Sequence, residues 1–269
     1  MGGSFCAAVD SSESVFWNPA GLTRLGAAGR SDLSLSYNAL LQSSYGGALA
    51  YARPAPGHGV FGAGIIYFSA GSISGYNALG DPTGSFSPSD ISVLAAFGRS
   101  FKDFSLGAGF KIIRSQVNGV SGTTVALDLG IQAQNVSQMG EGPVDVGASI
   151  QHLGPALRLG GNSDPLPLKI QAGALWHISR ALGGLFDVHM AVDQEPYASV
   201  GVEWLPLAGG TFKAGLRGGY NMSNTRGIDG LTGMSGGLGL DIRRFRLDYS
   251  WAPFGDLGAA NRATLGFAF

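Results

Sequence analysis

The segment from Arg244 to Phe269 constrains the fold more than any other. In RFRLDYSWAPFGDLGAANRATLGFAF, side chains alternate with a period of two over two runs joined by a polar, Gly-rich loop. Phe245, Leu247, Tyr249 and Trp251 point one way, while Arg246, Asp248 and Ser250 point the other. On the second run Ala263, Leu265, Phe267 and the terminal Phe269 share a face. A soluble antiparallel sheet alternates as well. Here, however, charges stand between large aromatics in mid-strand, and the last strand stops on an aromatic. That combination suits a transmembrane β-barrel, apolar toward lipid and polar toward the lumen. Leu265, Phe267 and Phe269 then form the C-terminal signal of the strand that closes the ring on the first.

Composition agrees. Charged residues make up 13% of the 269, about half the roughly 25% of ordinary soluble domains. Gly is abundant at 45 residues, yet without a Gly-X-Y period, and 45% apolar content argues against disorder. A net charge of −1 with no basic run gives no support for nucleic-acid binding. No apolar run approaches the ~20 residues of a membrane helix, whereas a barrel strand needs only about 9–11. Cys6 is the single cysteine, so no internal disulfide and no thiolate metal cluster can form. It reads as a small buried hydrophobe, and no lipobox-like stretch precedes it. Met1-Gly-Gly-Ser leads straight into a structured segment, so any secretory leader is expected to have been cleaved or left out.

Residues 1–30 read differently from residues 31–269. Asp10-Ser11-Ser12-Glu13 suggests a cap before a short helix, and Asn18, Pro19, Ala20 and Gly21 carry a turn signal. From Asp32 onward fourteen alternating runs follow, at about 31–40, 44–53, 58–71, 89–101, 104–118, 123–136, 143–153, 167–178, 184–194, 197–206, 210–222, 231–243, 244–252 and 261–269. Even-numbered connections are all short. The long Gly/Asp/Asn/Pro-rich insertions, at 72–88, 154–166, 223–230 and 253–260, fall on odd-numbered ones. Barrels of the bacterial outer membrane show that asymmetry, with short periplasmic turns and longer outer loops. The expected fold is therefore all-β: an antiparallel transmembrane barrel of about 14 strands, residues 31–269, with residues 1–30 as a lumen plug.

Face assignment supplies a polar lumen network of Lys169, Asp187, His189, Glu203, Lys213, Arg217, Arg246 and Asp248. A charge facing lipid at mid-depth costs about 2–4 kcal/mol, so these side chains belong inside, along with Asp193. Trp176, Trp204, Trp251, Tyr220 and Tyr249 fit an interfacial aromatic girdle near strand ends. The Gly-rich second, third and twelfth runs suggest a wall that bends or opens. Fourteen strands enclose more than side chains fill, since about eight already suffice, so residues 1–30 are expected inside.

Gly2-Gly3-Ser4-Phe5 with Ser14-Val15-Phe16-Trp17-Asn18-Pro19-Ala20-Gly21-Leu22 resembles the N-terminal signature of PorV/PorQ proteins, a branch of the FadL-type outer-membrane barrels. The resemblance continues through Asp164-Pro165-Leu166-Pro167, Gly201-Val202-Glu203-Trp204, Asp248 to Gly258 and Asn261 to Phe267, in order over nearly the whole chain. It implies a 14-stranded bacterial outer-membrane barrel with a hatch carrying Asn18, Pro19 and Ala20. Its PorV side implies an accessory barrel of type IX secretion-like export, partnered by a larger translocon barrel or an exported protein. Its FadL side implies passage of a hydrophobic small molecule such as a fatty acid. Leu175 and Ile113 are the large apolar residues read as facing inward, a thin supply that leans the sequence reading toward export.

No enzyme, cofactor or metal is expected. Asp187 and His189 share one strand face but point inward with no Ser-containing motif beside them. His58, His152, His177 and His189 show no HxH or HExxH spacing, and Gly233–Gly239 lacks the strand–loop–helix context of a nucleotide site.

Overall fold

The computed structural model describes residues 1–140, 142–209, 212–225 and 229–269. Two short helices lead the chain, α1 (Ser14–Trp17) and α2 (Thr23–Ala28), separated by a 3-10 turn over Pro19–Leu22. The strands follow: β1 (Asp32–Ala39), β2 (Tyr45–Ala55), β3 (Gly59–Ser69), β4 (Ile73–Tyr76), β5 (Pro82–Phe86), β6 (Ser89–Ser100), β7 (Ser105–Val117), β8 (Val120–Met139) and β9 (Gly142–Leu153). Then come β10 (Leu157–Leu159), β11 (Asn162–Asp164), β12 (Lys169–Trp176), β13 (Leu182–Ala191), β14 (Gln194–Gly209), β15 (Phe212–Asn221), β16 (Met234–Ile242), β17 (Phe245–Pro253) and β18 (Ala259–Ala268). Fourteen of them close into an antiparallel barrel, and β4–β5 and β10–β11 are separate hairpins. Each of the fourteen runs read from alternation overlaps one barrel strand, with ends that differ by up to three residues. Asp193 falls in the tight turn between β13 and β14 and is exposed, so it does not face the lumen.

Closure is by β18 on β1, in register from Asp32 opposite Ala268 to Ala39 opposite Asn261. Ser31 and Phe269 exchange backbone N–H to carbonyl bonds of 2.8 and 2.9 Å just beyond the ladder. Phe267 stacks between Phe245 and Phe269 at centroid distances of 4.9 and 5.4 Å, so the C-terminal aromatics cover the outside of the seam. Both hairpins and the 3-10 turns after β15 and β17 lie at one end of the barrel, the long-loop end. The other end carries the short turns.

The wall is apolar outside. Along β7, Leu106, Phe110 and Ile112 are exposed while Lys111 between them is buried. Leu33, Leu35, Phe61, Val125, Leu129, Phe186, Leu238 and Leu265 continue the exposed apolar surface around the ring. Water-soluble monomers rarely expose contiguous apolar patches beyond a few hundred Å². No described helix is long and apolar enough to cross a membrane, whereas this belt gives the strands a lipid-facing exterior. Trp176 and Trp204 flank the short-turn end, and Tyr220 and Trp251 the long-loop end. Tyr249 departs from the expected girdle: it sits in mid-strand and donates from its hydroxyl to Asn261 Oδ1 at 2.7 Å.

The Gly-rich strands do not break the wall. β2–β3, β3–β6, β15–β16 and β16–β17 pair without a register shift. The shifts lie instead between β8 and β9, β13 and β14, and β14 and β15. The glycines serve the interior.

Candidate functional site

Residues 1–30 lie against the inner face of the wall, and inward-facing glycines make the space. A Cβ on Gly64 would stand 2.5 Å from the Phe16 ring, and one on Gly147 2.7 Å from the Cys6 carbonyl. At Gly107 and Gly130 an added Cβ would overlap the Pro19 backbone and the Asn18 amide outright. Chain thus approaches strand as closely as backbone permits. Val15, Leu22 and Leu25 pack on Ala50, Ala52, Val60 and Ala96 of β2, β3 and β6, forming the apolar core under this segment.

Asn18 carries the polar side of the seat. Fully buried, its Nδ2 donates to the carbonyls of Cys6 (3.0 Å), Ile131 (3.2 Å) and Ala148 (3.3 Å), and its Oδ1 accepts from Ala20 N–H. Asn18 therefore starts the 3-10 turn that Pro19 pre-sets. The wall answers with amides. Gln132 donates to Cys6 O, Gln151 to Phe16 O and Gln171 to Trp17 O, at 3.0, 2.7 and 2.9 Å. Buried carbonyls must find partners, and these glutamines supply them. The expected cap at Asp10-Ser11-Ser12-Glu13 does not form: α1 has no side-chain cap, and Ser12 instead donates from N–H and hydroxyl to Asp32 at 2.8 and 2.7 Å.

Seven of the eight polar residues expected to form one network divide into two groups, and Lys213 stands apart. Asp187 accepts the N–H groups of Phe5 and Cys6, both at 2.9 Å. His189 bonds Ser199 at 2.9 Å, Ser199 accepts from Ser4, and Lys169 stands over the Trp17 ring. That group holds the N-terminal segment. The second is an ion ladder across β14, β15 and β17: Glu203 with Arg217 at 2.7 Å, Arg217 with Asp248, and Asp248 with Arg246 at 3.3 Å. Arg246 also approaches Asp32 at 3.8 Å. Lys213 lies opposite Asp241 at the short-turn rim. Sequence reading missed a buried Lys111–Asp128 pair (2.8 Å) and Asp145, which takes both Arg24 and His177 at 3.2 Å. No group of three or more His, Cys, Asp or Glu suited to a metal occurs among the described residues.

Beside the segment runs a cavity of about 730 Å³. At its short-turn end the cavity is lined by Leu175, Leu182, Leu185 and Leu205 of β12–β14. Phe5 and Trp17, which also line it, meet edge to face at 5.7 Å nearer Gln171 and Lys169. Leu175 and Leu185 are direct cross-strand neighbours, and Leu185 is 6% exposed. The inward apolar supply is thus larger than the two residues expected from sequence, and Ile113 is not among those lining this pocket. Leu182 and Leu205 were missed because they stand where short turns and a register shift interrupt the alternation.

Cys6 lies at the centre of the seat, fully buried, and burial pushes its thiol up to about 12. At pH 8 the thiol is therefore neutral, and the thiolate that attacks electrophiles is scarce. Maleimide or a disulfide reagent is expected to leave Cys6 unmodified in the folded barrel at pH 8 and to titrate one thiol after denaturation. Ready modification of the folded protein would show that the segment does not stay seated.

The barrel superposes on known structures over essentially its whole length. Against the Pseudomonas putida toluene transporter TodX the TM-score is 0.61 at 11% identity, covering 100% of this chain and 96% of that one. Against the Ralstonia pickettii toluene transporter TbuX it is 0.61 at 12%, covering 96% and 92%. A Pseudomonas aeruginosa FadL homologue gives 0.55 at 9%, covering 98% and 94%. The fold is that of these outer-membrane barrels. At such identities the likeness concerns the fold alone and does not single out the PorV/PorQ branch. No protein-family model and no curated protein matches the chain.

Proposed function

We propose that this chain is a non-enzymatic outer-membrane conduit for small, uncharged hydrophobic molecules, with residues 1–30 acting as its hatch and residues 31–269 as its wall. The observation that carries the reading is the cluster of Leu175, Leu182, Leu185 and Leu205 at the short-turn end of the cavity, which Phe5 and Trp17 also line. Ligand sites are typically cavities of about 300–1,000 Å³, and this one has that size, with its leucines gathered at one end and charged side chains along the remainder. That the TodX and TbuX structures sharing the fold are described as toluene transporters supports the same direction. The export-partner reading drawn from the PorV resemblance has no comparable support. In this reading Asn18, Pro19, Ala20 and Gly21 form the hatch turn, and Asp187 and His189 hold it in place. Arg217, Glu203, Asp248, Arg246, Lys213 and Lys169 line the polar interior, and Leu265, Phe267 and Phe269 seal the closing strand against inner-leaflet lipid.

The test is toluene entry. Detergent-purified barrel is expected to take up labelled toluene saturably, and outer membranes carrying it to admit toluene faster than membranes lacking it. A barrel that binds no toluene but retains a stoichiometric protein partner through purification would return the reading to export.

A further inference from the structure

The cavity does more than house the leucine pocket, because it follows the whole length of two strands. It is lined by Asp241 and Arg246 at the short-turn ends of β16 and β17 and by Gly233 and Ala252 at their long-loop ends. Nine residues of strand at about 3.3 Å each span roughly 30 Å, which matches the hydrocarbon thickness. On the lumen side of β16 and β17, Gly237 and Ser250 are small and leave room, whereas Arg217 and Asp248 cover Gly239 and Ser235 accepts from Gly2 N–H. The segment's hydrogen bonds to the wall go chiefly to β8, β9, β12 and β13, and at the β15–β16 side they are those of Gly2 with Asn221 and Ser235 near the long-loop end. A cavity of about 730 Å³ holds water and small ions and excludes folded chains. Among the described residues lining it, seven are Arg or Lys and five are Asp or Glu. Charged rings in a narrow path select ions of opposite sign.

We propose that this cavity is a water-filled path through which small inorganic anions cross the barrel beside the seated hatch. The proposal goes beyond hydrophobic transport and does not depend on it. Polar solutes use the Gly/Ser face of β16 and β17, whereas the leucines lie on β12–β14. Arg217 stays fixed between Glu203 and Asp248, so much of the anion preference falls to Arg262 and Arg30, which line the same path.

The experiment is single-channel recording of the purified full chain in a planar bilayer under a KCl gradient, with no hydrophobic ligand present. Insertion of folded barrel is checked by heat-modifiable gel mobility. Discrete current steps are expected, with the reversal potential shifted to the chloride side. Ser250→Trp, which places an indole in the bore from β17, is expected to cut the step at least by half. Arg262→Glu is expected to move the reversal potential toward potassium while the steps persist. Folded, inserted barrels that pass no current overturn the proposal. So does a cation preference in the unaltered chain, or a step that Ser250→Trp leaves untouched. Because toluene is absent, none of these results bears on the transport reading.

Discussion

Gly107→Leu should drive the hatch out of the lumen while the barrel stays closed. Any Cβ at this position meets the Pro19 carbonyl carbon and the Ala20 nitrogen, which are backbone atoms held by the Asn18 hydrogen bonds. They have nowhere to move, because Gly98 and Gly130 on the neighbouring strands press the same turn from both sides. The ladders of β7 to β6 and β8 use backbone groups only, and leucine is acceptable in a strand, so the wall is unaffected. Overpacking of this kind costs about 1–3 kcal/mol, and losing the buried amide bonds of Asn18 adds to it. A change of about 3 kcal/mol raises the unseated population more than a hundredfold. The expected readings are a Cys6 thiol that reacts fully at pH 8 and a pore conductance several times that of the unaltered chain. Gly161→Leu, at a hairpin tip with open space around it, should change neither. A folded Gly107→Leu barrel whose Cys6 stayed inert would mean that the hatch is not seated on β7.

The second large effect concerns Leu185. It is nearly fully buried beside Leu175 and lines the cavity, and Leu185→Asp places a carboxylate among leucines. A buried polar group without a partner costs roughly 1–3 kcal/mol, and a charge costs more. At least a tenfold loss of toluene affinity is therefore expected. Leu185→Met keeps the volume and apolar character and should stay close to the unaltered protein, since such exchanges usually cost under about 1.5 kcal/mol. Equal toluene uptake by Leu185→Asp and the parent, with both folded, would remove this pocket from the transport path.

Much of the wall was legible in the chain. Period-two alternation is local information: each of the fourteen strands carries its own apolar and polar faces, and turn residues mark its ends. Phe245, Leu247 and Trp251 against Arg246, Asp248 and Ser250 are sorted correctly by spacing alone. Asp193 and Tyr249 went astray for a related reason. Alternation says which side a residue takes and is silent on where along the strand it stands, or whether the strand has already ended.

The interior was less legible because its contacts are long-range. The stretch from Asn18 to Gly21 is conspicuous as a turn, yet its partners on β8 and β9 lie 113 and 130 residues away. The glycines facing the lumen look in sequence like weak points of a strand. Only the position of residues 1–30 shows that they are clearances for that segment. In the same way, Asp187 could not be told from Asp248 by type or face. Both point inward, but one accepts backbone N–H groups of the hatch and the other holds Arg217.

The sequence by itself determined the strand number, the faces, the closing strand and the membrane-facing character of the wall, because each follows from a pattern within about ten residues. Tertiary structure alone decided which inward residues meet, where the leucines gather and where a cavity remains. Those depend on the curvature of a closed ring, which brings strands far apart in the chain around one lumen, and on a segment whose place in that lumen no local pattern encodes.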